Sequence, residues 1–191
     1  MCIRDSCCAA PGGKTFTAAE MMQNKGKLIA FDLYRGRVGL IRDGAQRLGL
    51  DIVTARRNDA LLGFPDLEPV DRMLCDVPCS GYGVIRRKPE IRYKDVSSVS
   101  ELPTIQYGIL QNASKVVKSG GVLVYSTCTL NPAENNLVAE RFLKENDGFI
   151  PMKIELPASI QRRSKEADHM FTMMPFSGAS DGFFAAAFRK K

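Results

Sequence analysis

Apolar positions along the chain fall into two patterns: short unbroken runs, and stretches in which they recur every three or four residues. The first pattern marks strands buried on both faces, the second helices with one apolar stripe. Lys27–Asp32, a run closed in front by Gly26, predicts a strand. Val38, Ile41, Ala45 and Leu48 then recur at helical spacing and stop at Gly49. Residues 52–55 and 70–75 predict two further strands, followed by a long loop. Ile105, Ile109, Ala113 and Val116 predict a helix over about 104–117, ended by Ser119-Gly120-Gly121, and 122–125 read as the next strand. Asn131, Pro132 and Glu134 stand where an N-cap, a first helical proline and a capping-box acid belong, ahead of Leu137, Val138 and Phe142. Beyond Phe149 the pattern weakens. Residues 157–169 read as a polar loop, and 183–188 as a strand closing the sheet.

Strand and helix alternating in this way predict an α/β fold of Rossmann-like type, an open, mostly parallel sheet with helices on both faces, because parallel strands need crossover connections. Ligands of such sheets bind at the carboxyl ends of the strands. A length of 191 residues, 45% of them hydrophobic, suits one core rather than two domains. No apolar run approaches the ~18 residues of a membrane helix, and Met1-Cys2-Ile3-Arg4-Asp5-Ser6 lacks a signal-peptide core, so the expectation is a cytoplasmic protein without a membrane partner. The net charge of +6 suits a polyanionic partner without requiring one.

The six cysteines, Cys2, Cys7, Cys8, Cys75, Cys79 and Cys128, are unevenly spread, which argues against a secreted disulfide framework. There is no Cys-x-x-Cys, and the single histidine, His169, lies far along the chain, so no metal is expected. Cys2, Cys7 and Cys75 read as small buried hydrophobes, and His169 as part of an exposed loop.

Two groups of residues carry candidate chemistry. Cys8-Ala9-Ala10-Pro11-Gly12-Gly13-Lys14-Thr15 lies between a first strand and a helix starting near Lys14, where small residues let backbone amides approach a ligand. The phosphate-loop pattern would need glycine in place of Cys8, the dinucleotide pattern is absent, and a glycine turn can simply connect strand to helix. Asp32 ends the second strand 20 residues after Gly12, the offset at which an acid meets ribose hydroxyls; Asp59 follows the third strand and Asp76 the fourth. Any one of these is most simply a turn cap. Three together beside a glycine loop favour a nucleoside-containing cofactor. The second group is a pair of thiols: Cys79 in the segment after the fourth strand and Cys128 in that after the fifth, facing one crevice. An ordinary thiol has a pKa of ~8.5, and a helix N-terminus or a cation such as Lys14 would raise the thiolate fraction of Cys128. Arg86, Arg87, Lys88, Arg92 and Lys94, with Tyr93 among them, form a basic loop after Cys79 that reads either as a solvated run or as contacts to a nucleic-acid backbone.

Residues 8–14, Gly26 to Asp32, Asp76-x-Pro-Cys79-Ser80, the run from Gly83 to Glu90, Thr127-Cys128, Glu134-Asn135 and Asp181-Gly182-Phe183-Phe184 occur in one order along nearly the whole chain. In these motifs the chain resembles the Sun-type, RsmB-like RNA 5-methylcytosine methyltransferases. The resemblance implies a class I methyltransferase fold and S-adenosyl-L-methionine as donor. The donor would be held by Cys8, Ala9, Ala10, Pro11, Gly12, Gly13 and Lys14 with Asp32, Asp59 and Asp76. It further implies Cys128 as nucleophile, Cys79 as assistant in release, Asp76 and Lys14 as groups acting on the base, and Arg86, Arg87, Lys88 and Arg92 as contacts to RNA, ribosomal RNA being expected. Family members begin the first strand with an apolar run where this chain has Ile3-Arg4-Asp5-Ser6-Cys7. Residues 1–191 are therefore expected to be the methyltransferase domain of a longer enzyme, its first strand incomplete and its upstream RNA-binding region absent, acting as a monomer. A phosphate-loop nucleotide hydrolase and a non-catalytic RNA-binding module are the competing readings.

Overall fold

The computed structural model describes residues 3–157, 167–175 and 180–191. Its centre is a sheet of eight strands, in which β1 (Ile3–Cys7), β2 (Lys27–Asp32), β3 (Val53–Arg57), β4 (Val70–Asp76) and β5 (Val117–Thr127) run parallel. The spatial order is β3-β2-β1-β4-β5-β8-β6. The last strand, β8 (Phe183–Lys190), lies antiparallel to β5 and carries the short strands β6 (Phe149–Pro151) and β7 (Met170–Met173) on its other edge. The chain leaves β1 towards β3, then returns to the other side of β1 with β4. The order reverses there, so the crevice of an open α/β sheet opens between the ends of β1 and β4.

Alternation along each strand divides the side chains between two cores. Ile29, Phe31, Met73, Cys75, Leu123, Tyr125, Phe184 and Phe188 face α3 (Leu102–Lys115) and α4 (Asn136–Glu145). Leu28 and Ala30 face the opposite way, against Ala19 of α1 (Gly13–Met21) and Ile41 and Ala45 of α2 (Arg35–Arg47). Helices on both faces and a mostly parallel sheet match the expected architecture. Among the described residues no helix is long and apolar enough to cross a membrane.

Several local expectations need correction. Ser119-Gly120-Gly121 does not end α3, which stops at Lys115; it lies inside β5. Gly120 has a left-handed φ of 74°, and the register with β4 shifts between Val70 and Arg72, so these glycines serve an irregularity in the ladder. Glu134 does not close a capping box: it ends a 3₁₀ turn, Pro132–Glu134, capped by Asn131 Oδ1 accepting from Ala133 N, and α4 starts afterwards at Asn136. Leu137 is exposed on α4, whereas Val138 and Phe142 are buried. His169 is half-buried rather than exposed, its ring 6.3 Å from that of Phe188 just before β7. Most of the expected 157–169 loop and Cys2 lie outside the described residues.

Candidate active site

The loop leaving β1 is held against β2 from its first residues. Ala9 N donates to Phe31 O and Ala10 N to Asp32 Oδ2, while Asp32 Oδ1 accepts from Tyr34 N. The buried Asp32 carboxylate therefore caps its own turn and fixes the glycine loop at once. Two of its roughly four lone-pair positions are used, leaving others for a ligand. Asp59 caps the 3₁₀ turn Ala60–Leu62 by accepting from Leu61 N. Asp76 at the end of β4 accepts from Lys14 Nζ at 2.7 Å and from Ser126 Oγ at 2.8 Å, and Lys14 also lies over the Phe183 ring. The turn-capping reading is thus true of Asp32 and Asp59, and compatible with a second task.

Asp32, Asp59 and Asp76 share one cavity of about 350 Å³ with Cys8, Ala10, Leu33, Ile109, Cys79 and Cys128. The volume is that of a site for a small organic molecule, and the mixture of apolar walls with a few convergent polar groups is what such sites present. Of the other glycine-loop residues expected here, Ala9, Pro11, Gly12, Gly13 and Lys14 do not line this cavity. They set the turn, in which Gly12 N donates to Ala9 O and Gly12 precedes α1 with a φ of 110°.

Cys79 and Cys128 meet at the far end of the cavity, Sγ to Sγ 3.2 Å apart. The hydrogen bond from the Cys79 thiol lowers the pKa of Cys128 to about 7, with the Lys14 ammonium assisting, while burial and the Asp76 carboxylate oppose. Cys79 is pushed up, first by its hydrogen bond to Cys128 and then by burial. Above about pH 7 the pair therefore holds one proton between two sulfurs, with the charge on Cys128. Cys8 is shifted upward, first by its hydrogen bond to Cys7 and then by burial, which makes it a wall rather than a nucleophile. Cys7 and Cys75 are fully buried among apolar residues, as expected.

The segment after Cys79 is stitched over the Cys128 loop by backbone bonds: Gly83 N donates to Cys128 O, and Gly182 N to Gly83 O. A Cβ at Gly83 would overlap Gly182 O and approach Cys128 O, so only glycine permits this crossing. Beyond it the expected basic loop is present, with Arg86, Lys88 and Arg92 exposed. Arg87 differs, its Nε and Nη2 engaging both carboxylate oxygens of Asp181. Lys94 donates to Ser80 O at 3.0 Å. Sequence reasoning missed Gln106 and Tyr125, buried groups that brace the thiol loops, because a polar residue inside an apolar stripe carries no mark of its partner, and it read Glu134 as a helix cap rather than as a buried brace. Among the described residues no group of three or more His, Cys, Asp or Glu could hold a metal ion.

Comparison with known proteins agrees with this geometry. The profile of the family described as 16S rRNA methyltransferase RsmB/F matches residues 3–189. The probable ribosomal RNA small subunit methyltransferase B of Bacillus subtilis (strain 168) is 42% identical over 190 residues, covering 96% of this chain and 42% of that protein. Ribosomal RNA small subunit methyltransferase F of Aeromonas hydrophila is 35% identical over 187 residues, 95% of this chain and 39% of the relative. The chain thus spans less than half the length of these curated relatives. Among solved structures, NSun6 from Pyrococcus horikoshii with SFG superposes with a TM-score of 0.86 at 31% identity, covering 99% of this chain and 47% of that one. A methyltransferase homolog protein from the same organism gives 0.80 at 30% identity, covering 100% and 61%. The sheet order, the crevice at its reversal and the two thiols above it are thus set in a class I methyltransferase fold, and the chain belongs to the 16S rRNA methyltransferase RsmB/F family.

Proposed function

We propose that this chain is the catalytic part of an enzyme that methylates carbon 5 of a cytosine in RNA, small-subunit ribosomal RNA by its relatives, through a covalent adduct on Cys128. The observation that carries the reading is the continuity of one cavity from Asp32 and Asp59 to the paired thiols of Cys79 and Cys128. The cofactor is S-adenosyl-L-methionine, the group for which this fold class is built. The residues present fit it: Asp32 keeps free acceptor positions for ribose hydroxyls, Asp59 and the Ala60 turn face the same space, and Leu33 and Ile109 supply apolar walls for a base. When bound, the cofactor supplies an electrophilic methyl group on a sulfonium.

Carbon 5 of cytosine is a poor nucleophile until a thiolate adds at carbon 6. The Cys128 thiolate donates the electron pair of the new sulfur–carbon bond and leaves carbon 5 electron-rich. Asp76, oriented by Lys14 and Ser126, hydrogen-bonds the base and balances charge as it develops. Release runs the other way. The carbon 5 proton leaves to a base, the sulfur–carbon bond breaks, and its electron pair returns to Cys128, with Cys79 assisting at that stage. A phosphate-loop hydrolase would need no acidified thiol and would need glycine in place of Cys8; a purely RNA-binding module would need neither thiol. The work belongs in the cytoplasm, a reading that the bacterial origin of the relatives supports.

The test is denaturing electrophoresis of the full-length protein with labelled RNA. Cys128→Ala is expected to abolish both methylation and adduct. Cys79→Ala is expected to add and transfer but not release, so that a covalent protein–RNA complex accumulates. An adduct from Cys128→Ala but not from Cys79→Ala would reverse the two roles, and none from either variant of an active parent would overturn the covalent mechanism.

A further inference from the structure

Glu134 has no solvent exposure, and its carboxylate is ringed by donors. Oε2 accepts from Ser80 N at 2.8 Å and from Gln106 Nε2 at 2.9 Å; Oε1 accepts from Asn131 Nδ2 at 2.9 Å. Gln106, reaching from α3, also donates to Pro78 O at 2.9 Å. The backbone carbonyl of Glu134 accepts from the Tyr125 hydroxyl at 2.5 Å. Ser80 directly follows Cys79, Pro78 directly precedes it, and Asn131 closes the turn three residues after Cys128. The two loops meet again where Ser80 Oγ and Thr129 Oγ1 lie 2.7 Å apart. One carboxylate thus anchors the backbone after one thiol directly, the backbone before it through Gln106, and the turn beyond the other. A burial this complete is costly for a carboxylate, and apolar packing of similar volume would stabilise the fold at least as well. What apolar packing cannot do is collect three directed donors from three segments.

We infer that Glu134 is a positioning residue, which sets the spacing of the Cys79 and Cys128 thiols by tying both of their loops to one buried point. The inference rests on the reading of the two thiols as a working pair, and it concerns their geometry rather than the methyl transfer itself. Glu134 touches neither sulfur; it acts through Ser80, Gln106 and Asn131.

The experiment measures thiol spacing without methylation. Oxidised glutathione is attacked by the Cys128 thiolate, releasing one glutathione, and the Cys79 thiol then displaces the second. Two protein thiols become one disulfide as the glutathione disulfide is reduced to two thiols. The rate of Cys79–Cys128 linkage is followed by peptide mass spectrometry in the parent chain, Glu134→Gln, Glu134→Asp and Phe142→Leu. Phe142→Leu is a core control away from the thiols, and all variants are compared at a temperature where circular dichroism shows them folded. Glu134→Gln keeps the shape but turns an NH₂ group towards N–H donors, so one loop must move. Since misplacement by about 1 Å can cost on the order of 10²-fold in reactions governed by geometry, linkage should slow about tenfold or more. Glu134→Asp, which keeps an acceptor, should fall between, and Phe142→Leu should stay near the parent rate. A parent-like rate in Glu134→Gln, or an equal loss in Phe142→Leu, would overturn the inference. Should Glu134→Gln not fold, Gln106→Leu and Asn131→Ala each remove one tether, and parent-like rates in both would overturn it equally. Slow linkage together with no adduct from Cys79→Ala would uphold the positioning role and sink the covalent mechanism; a parent-like rate together with that adduct would do the reverse.

Discussion

At Cys128 the deciding feature is a hydrogen bond between two sulfurs. The thiolate is the reactive form, so a pKa of about 7 makes roughly half of this residue reactive at neutral pH, where an ordinary cysteine offers a few per cent. Lys14 and Asp76 act on Cys128 with opposite signs while paired to each other at 2.7 Å, so their effects partly cancel and the Cys79 donor dominates. A pH profile follows with a definite sign. Alkylation of Cys128 by iodoacetamide, read by mass spectrometry, should be slow in acid, rise with pH through about 7 and level off above it. In Cys79→Ala the donor is gone, and the midpoint should move up towards the ~8.5 of a free thiol. A parent midpoint already near that value, or one unmoved by Cys79→Ala, would show that the sulfur–sulfur bond does not acidify Cys128. The presence of both thiols at one crevice was legible from the sequence, since each lies in the segment just after a predicted parallel strand. Their 3.2 Å separation was not, because it depends on bonds of Glu134 to Ser80 and Gln106 and of Gly83 to Cys128 and Gly182, which join residues 28 to 99 positions apart.

Among the elements, unbroken apolar runs identified β2 and the core of β5, the run 70–75 identified β4 despite Asp71 and Arg72, and helical spacing identified α2 and α3 to within a few residues. The runs are readable because a strand covered on both faces must be apolar throughout. The short strands β6 and β7 carry no such pattern; they exist as strands because β8 offers them an edge, Phe149 pairing with Lys190 and Met170 with Ala186. Glycines at 120 and 121 misled for a related reason: a helix stop and a ladder irregularity use the same residue. The outer half of the sheet depends on aromatic packing, with Phe142 of α4 at 5.2 Å from the Phe149 ring and 4.9 Å from the Phe188 ring. Phe142→Ala should cost about 3–5 kcal/mol, the range for emptying a buried aromatic position. Denaturant titration checks it. A loss below about 1 kcal/mol, the scale of a surface change, would mean that α4 and β8 are not packed as one unit.

For the molecule as a whole the question is how a chain of net charge +6 meets a polyanion. Net charge alone raises encounter rates but does not choose a face. On the proposed function the crevice does, because the exposed Arg86, Lys88 and Arg92 follow on the loop that carries Cys79, and a base entering the cavity would bring its phosphates past them. Arg87 sits in the same run but is spoken for: both of its engaged nitrogens face Asp181, which ties the basic segment to the start of β8. The four neighbouring cations should therefore separate experimentally. Each cation that stops neutralising a phosphate of a single strand lowers the slope of log K against log salt by about 0.7, so replacing Arg86, Lys88 and Arg92 together by Ala should flatten it by roughly 2. Arg87→Ala should leave the slope nearly unchanged, because an arginine already neutralised by a carboxylate releases few counterions. Fluorescence anisotropy with a cytosine-containing RNA oligonucleotide, titrated at several salt concentrations, measures both. A parent-like slope in the triple variant would make the run a solvated surface, and a full-sized drop from Arg87→Ala would mean that RNA displaces Asp181 from it.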